Sequence, residues 1–487
     1  MPGTARFEKI KMKTTKKLGF GGLVALVFGM MVGAGIYNIP QNMAVSASQG
    51  AVIIAWLVTA ACILSLVATF KTLADRRPDL NAGIYEYAQA GFGNYTGFNM
   101  AWGYWLSTCI ANIAYAAMLN DSFGVFFPAL LHHGWQTLVF GTVLIWLMCW
   151  LVLKGIKAAK TVNFIMAVLK VAAIAFILVL LWINAKMGLF TADFFGSGDS
   201  GIGGIGEQVK NTMMVTLFCF VGIEGAVMMS ARAKNPRSVG RAGVVGFALA
   251  WLLYVLISLL SFAVMTRGGL ASLGDPSAAY LLRDTVGEWA YYFVIISVIV
   301  SLLGGWVAWN LVCSQCSMEA AEVGIFPRHF LKMNSKGMPS FATIASAAVM
   351  EMFLVVVIFS DDFYLAAVSI TGMMVLPPYL FSGLYLTKAS FRPAMLGNPG
   401  HGRLMRFRFA GIACTVCCLW MIWSGGLDLL LESTLFYLPG IVFYLLARAG
   451  RRFWTPKAMR ASFTRAESVE LAVIIAGAAA SLILLFH

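Results

Sequence analysis

Gly29-Met30-Met31-Val32-Gly33-Ala34-Gly35-Ile36-Tyr37-Asn38-Ile39-Pro40 is the stretch whose reading settles the architecture. It closes an apolar run that starts near residue 19, and about 20 apolar residues are what a helix needs to cross a bilayer. Gly33 and Gly35 weaken the helix and remove side chains that would block a close approach. Where such a turn unwinds at membrane depth, its backbone N–H groups need partners. A solute carboxylate is a natural one, because the start of a half-helix offers free donors and the positive end of the dipole. Packing of helices through small residues would use the same spacing, so this motif alone leaves both readings open.

The interruption recurs farther along. Phe218-Cys219-Phe220-Val221-Gly222-Ile223-Glu224-Gly225-Ala226 places Gly222 and Gly225 around Glu224 inside another apolar segment. In a chain built from two sets of five spanning helices, these two segments would open the two sets. Glycine-interrupted helices at corresponding positions of two halves are the best sequence pointer to a transporter site. The pair is far more specific than either break alone.

Outward from these breaks, apolar segments occur near 19–39, 50–70, 97–127, 136–153, 161–184, 208–230, 240–266, 288–317, 341–360, 363–387, 409–425, 428–447 and 467–486. The 487 residues are 60% hydrophobic and only 11% charged, with mean hydropathy +0.82; a soluble domain carries about a quarter charged residues. With the N-terminus inside, 30 of the 35 Lys and Arg fall in cytoplasmic stretches and 4 in external ones, Lys170 being the last. That asymmetry fits the positive-inside rule, and one missed helix would scramble it. The net charge of +14 is thus a mark of topology, and nucleic acid is not an expected partner.

The fold class expected is an all-α integral membrane protein of 12–13 transmembrane helices, with two inverted five-helix repeats and discontinuous helices 1 and 6. Residues 1–17 form a basic cytoplasmic tail and 18–184 the first repeat (helices 1–5). Residues 207–387 form the second repeat (helices 6–10), and 405–487 carry helices 11, 12 and a thirteenth. No cleavable leader is apparent before the first segment, and a bacterial inner (plasma) membrane fits best.

Nine cysteines all lie in apolar runs, and neither CxxC spacing (Cys313/Cys316, Cys414/Cys417) has a histidine or second CxxC nearby, so no metal site or cofactor is expected. All five histidines fall in loops or at the terminus, and no Ser/His/Asp set accompanies them. An enzyme is not expected.

Three of the charged side chains inside apolar segments are informative. Glu224, at a glycine break, would cost about 2.5–3.5 kcal/mol at mid-helix if left to lipid; it is read as a cation acceptor or proton carrier near a gate, or as a carboxyl bonded to loosened backbone. Glu351 has no glycine break beside it and reads as structural. Lys170 is too deep to snorkel and should face protein, as a fixed cation tying segment five to segments one and eight.

At these residues the sequence resembles the basic amino acid/polyamine antiporter family of the amino acid–polyamine–organocation superfamily. The similarity runs from about Leu18 through segment twelve and rests on GAGIYNIPQNMA (33–44), VKNTMMVTLFCFVGIEGAVMMSARAKN (209–235) and LLGGW (302–306). The second run resembles arginine/ornithine antiporters most, whereas the LGGW motif is closer to arginine/agmatine antiporters. The resemblance implies that the turn Gly33, Ala34, Gly35, Ile36 receives the substrate carboxylate and amine, that Asn112 contacts substrate, and that Trp306 stacks on a guanidinium. It implies that Phe218 stands at an aromatic gate position, that Tyr104, Glu224 and Tyr379 form a gating trio, and that Lys170 takes the place of a sodium ion. A homodimer is a further expectation.

Physical chemistry supports Trp306 on its own account. A flat guanidinium over an indole face gains about 2 kcal/mol or more when desolvated, whereas an ammonium loses the planar stacking. The function expected is arginine import in exchange for agmatine, with ornithine as second choice, by alternating access. Proton-coupled symport, with Glu224 as carrier, is the first alternative. A non-transporting amino-acid sensor is the second, and the lack of any long hydrophilic stretch counts against it.

Overall fold

The computed structural model describes residues 19–80, 83–132, 134–155, 159–198, 200–225, 237–357, 363–449 and 463–486. The basic tail at 1–17, and the part of the run 209–235 beyond 225, lie outside the described residues. Each of the thirteen apolar segments contains helix. In chain order the first eleven helices are α1 (Phe20–Met31), α2 (Ile39–Ser46), α3 (Gln49–Arg76), α4 (Ile84–Phe92), α5 (Asn94–Gly124), α6 (Trp135–Leu153), α7 (Ala159–Ile183), α8 (Met187–Thr191), α9 (Ile205–Phe218), α10 (Arg237–Val264) and α11 (Arg267–Ala271). There follow α12 (Ser277–Val286), α13 (Glu288–Glu322), α14 (Ser340–Val357), α15 (Phe363–Ser390), α16 (His401–Gly425), α17 (Leu427–Leu435), α18 (Leu438–Ala449) and α19 (Arg465–Phe486). No strand occurs among the described residues, only an isolated bridge between Met333 and Pro339.

Seven of these helices are long and apolar enough to cross a membrane, or eight if Leu427–Leu435 and Leu438–Arg448, bent by 41°, form one span. Part of the shortfall from thirteen has physical causes. α1 and α9 stop where the chain breaks. α5 is 31 residues long but mixes Asn, Ser and Thr with its apolar residues. α19, the thirteenth segment, does qualify.

α5 is the axis of the molecule. Every residue from Tyr95 to Ser122 is buried, with α13 and α15 packed along it and α16 behind α15. Lipid tails give helices no hydrophobic reason to associate, so close approach and interhelical hydrogen bonds must hold them. α5 supplies both. Gly97, Gly103, Ala111 and Ala114 keep it slim, and the Trp105 indole donates to Ser346 Oγ on α14 at 2.9 Å. Against α13, Cys109 Sγ lies 3.3 Å from Cys313 Sγ. Outward-facing Trp135, Val139, Val143, Trp146 and Trp150 give α6 the exposed apolar stripe expected of a lipid-facing helix.

The stretches read from sequence as connecting loops also hold short helices, namely α4, α8, α11 and α12. Their length hides them from a search for 20-residue spans. α4 packs on α5 and α15, and α12 packs on α13.

Candidate functional site

The first break is built from backbone that the chain then repairs. α1 ends at Met31, Gly33 is non-helical (φ −114°, ψ −142°), a single tight turn covers Ala34–Tyr37, and α2 begins at Ile39. Ending a helix leaves its last carbonyls without intrahelical donors. Here Lys170 Nζ donates to Val32 O at 2.5 Å and to Gly29 O at 3.3 Å, and the Tyr254 hydroxyl donates to Met31 O at 3.0 Å. The ammonium of Lys170 sits at the negative end of the α1 dipole, where a cation is favoured. At the start of the next turn, Gly33 offers no side-chain cap to the first amides.

Close approach explains the glycines. A Cβ on Gly33 would fall 2.6 Å from the Tyr115 hydroxyl of α5. Gly35 faces the ring of Phe218 and the hydroxyl of Tyr364. Phe218 thereby lies against the first break.

The second break follows Phe218. Cys219–Glu224 form successive turns, and Gly222 takes φ +110°, a conformation that side chains rarely adopt. Gly222 also lies against Met30 of α1 and the Trp309 ring of α13, so the two breaks touch. Glu224 is wholly buried. Its Oε1 accepts from the Tyr104 hydroxyl at 2.7 Å, and its Oε2 accepts from the Tyr379 hydroxyl at 2.5 Å and the Gly222 N–H at 3.1 Å. Three sequence-distant residues named together are therefore brought together. On α15, Pro377 and Pro378 precede Tyr379 inside the helix; each lacks an N–H and strains the preceding turn.

Between the breaks runs the α5–α13 seam. Its register is set by Cys109 against Cys313 at one end and Tyr115 against Gly305 at the other. Asn112 of α5 and Trp306 and Asn310 of α13 fall between these contacts, all wholly buried. Asn112 Nδ2 donates to Thr108 O of its own helix at 2.7 Å, but its Oδ1 accepts nothing among the described residues. The same holds for Trp306 Nε1 and for both amide atoms of Asn310. Buried polar groups without partners are rare in folded proteins and cost about 1–3 kcal/mol each. A cluster of them at two broken helices is the chemistry of a polar-ligand site.

A profile of amino acid permeases matches residues 18–447. The chain belongs to the amino acid permease family. A protein of Clostridium perfringens named as an amino-acid transporter is 37% identical over 483 residues, covering 98% of this chain and 99% of its own. An arginine/ornithine antiporter of Pseudomonas aeruginosa is 37% identical over 476 residues (96% and 97%). An arginine/agmatine antiporter of Chlamydia trachomatis is 38% identical over 441 residues (89% and 90%). This permease is accordingly a multi-pass membrane transporter of amino acids and not an enzyme. The stretch over which the sequence resemblance was drawn, Leu18 through segment twelve, is the stretch the family covers.

Among the described residues, no group of three or more His, Cys, Asp or Glu is placed to hold a metal ion. Glu351 lies on a different helix pair from the breaks, where its Oε1 accepts from Thr142 Oγ1 of α6 at 2.5 Å. Sequence reading missed Tyr115, Tyr254, Trp309, Tyr364 and Asn310. A hydroxyl deep in a span must find an acceptor, which was a usable signal for Tyr254. Asn310, an amide one turn past Trp306, carried the same signal as Asn112.

Proposed function

We propose that this permease is a basic amino acid antiporter, importing arginine in exchange for agmatine, with ornithine as the second-choice counter-substrate. The observation that carries it is Trp306, wholly buried on α13 at the level of both breaks, with the unpartnered Oδ1 of Asn112 and the unpartnered amide of Asn310 on the same seam. The names of the relatives, arginine/ornithine and arginine/agmatine antiporters, support the same substrate class.

In this reading the Gly33–Ile36 turn receives the substrate carboxylate and amine, and Trp306 stacks on the guanidinium. Asn112 Oδ1 accepts from the cation, and Phe218 covers the substrate from the second break. Tyr104, Glu224 and Tyr379 form a gate whose bonds break as the helix bundle rocks, while Lys170 fixes the end of α1 as a structural cation. The two five-helix sets are inverted repeats, and alternating access moves one bundle against the rest. The N-terminus is cytoplasmic, the membrane is a bacterial inner membrane, and the protein works as a homodimer.

The test is uptake of labelled arginine by the purified protein in liposomes preloaded with buffer, arginine, ornithine, agmatine or lysine. Uptake only with a loaded counter-substrate is the expected result. Equal uptake into empty liposomes under a pH gradient would replace antiport by proton symport, and binding without uptake would make the protein a sensor. An imposed potential separates the two antiport pairs. Arginine for agmatine moves one net charge, or about 2.3 kcal/mol per 100 mV, whereas arginine for ornithine moves none.

A further inference from the structure

The C-terminal helices α18 and α19, with the residues just before each, lie along α5 from Tyr95 to Gly103, the residue before Tyr104. Tyr95 packs among Tyr444 and Phe463, with ring centroids 4.9 and 5.0 Å away. The Trp102 indole donates to Phe436 O at 2.9 Å. Gly103 meets the Tyr437 hydroxyl so closely that a Cβ there would fall 2.1 Å from it.

Two acidic residues of α19 complete this seam. Glu467 Oε1 accepts the Tyr95 N–H at 2.7 Å, while its Oε2 accepts the Thr464 N–H at 2.8 Å. The Glu467 N–H in turn donates to Thr464 Oγ1 at 3.3 Å. The Thr464 pair is a capping box that closes the start of α19. The Tyr95 bond supplies α5 with the cap that Gly93, lacking a side chain, cannot give. One carboxylate thus serves two helix N-termini, where negative charge is favoured. Three residues on, Glu470 accepts from Thr96 Oγ1 at 2.6 Å and from Asn99 Nδ2 at 2.7 Å. Residues three apart share a helix face, so Glu467 meets the Tyr95 N–H while Glu470, one turn on, holds both Thr96 and Asn99.

We infer that Glu467 and Glu470 are positioning residues of the gate: they fix the start of α5 so that the Tyr104 hydroxyl reaches Glu224. This rests on the gating role proposed above for that trio. From Asn99 to Tyr104 is about 7.5 Å along a stiff helix, and the Tyr104–Glu224 bond of 2.7 Å weakens steeply with misalignment. A slip at the first turn of α5 therefore arrives at the gate. The thirteenth helix becomes part of the transport machinery rather than an appended anchor.

The experiment compares Glu470→Gln and Glu467→Gln, alone and combined with Tyr104→Phe, in the full-length protein. Maximal arginine exchange in liposomes, arginine affinity in detergent and thermal unfolding are measured for each. In the unmodified background, Glu470→Gln lowers the maximal rate by about tenfold, the size of one lost charge-assisted bond, with affinity within about twofold. In the Tyr104→Phe background it has little further effect. Independent, multiplying effects would overturn the inference, as would an unchanged rate in a folded variant. Where the glutamate variants do not fold, Thr96→Val removes one donor at constant shape and carries the same comparison. Arginine exchange by the unmodified protein is the control for the proposed function. If that control fails, coupling between positions 470 and 104 is read from thermal unfolding as a double-mutant cycle, and additivity there sinks the inference.

Discussion

Lys170 of α7 places its ammonium 2.5 Å from the carbonyl of Val32, the residue just past the end of α1. A second bond to Gly29 O at 3.3 Å makes the lysine a donor to two carbonyls that the break leaves without helical partners. The broken span is therefore held from outside, by a fixed cation on a helix 138 residues away in sequence.

Lys170→Met should loosen the first break. Each carbonyl left buried without a donor costs about 1–3 kcal/mol, and the turn carrying Gly33 to Ile36 is the one that moves. The expected outcome is a lower unfolding temperature together with a loss of arginine exchange of tenfold or more. A variant that unfolds at the same temperature and exchanges at the same rate would show that the lysine bonds are incidental.

Glu224→Gln tests the gate directly. The carboxylate takes three donors at once, from Tyr104, Tyr379 and Gly222, and an ionised carboxylate is acceptor-only on both oxygens. The amide turns one of those oxygens into a donor that faces a hydroxyl or an N–H. One bond to a charged group is worth about 1.5–3 kcal/mol, which corresponds to a tenfold or larger fall in maximal rate. Binding measured in detergent should stay within a few-fold. A fall in affinity with an unchanged rate would move Glu224 from the gate to the substrate.

Much of this was legible in the sequence, and the reasons differ by residue. The breaks could be read because glycine is needed where Gly222 takes φ +110° and where Gly33 meets Tyr115. Glu224 and Lys170 could be read because charge is conspicuous in an apolar run. α4, α8, α11 and α12 could not be, since five to ten residues leave no spanning signal. Tyr115 and Trp309 stayed hidden for another reason. Aromatic residues are common in this chain, and their importance lies in which glycine each one meets.

Trp306→Leu should separate guanidinium from ammonium. An indole face contributes about 2 kcal/mol or more to a desolvated guanidinium, so arginine affinity should fall by about 30-fold. Ornithine, which never had the planar stacking, should lose less. Isothermal titration with both ligands gives the ratio, and an equal loss for both would assign Trp306 to packing.

Asn310→Leu separates ligand chemistry from folding, because the two push in opposite directions. In the protein as it stands, both amide atoms of Asn310 are buried without partners, which opposes folding by about 1–3 kcal/mol. Leucine is close in size and asks for no hydrogen bond, so the variant should unfold at a higher temperature. If the amide faces the substrate, arginine affinity should fall at the same time, by about tenfold for one lost hydrogen bond. Gain of stability with loss of affinity would place Asn310 in the substrate site beside Asn112 and Trp306. Gain of stability with unchanged affinity would leave it outside, and loss of both would mean that the amide is bonded within the fold after all.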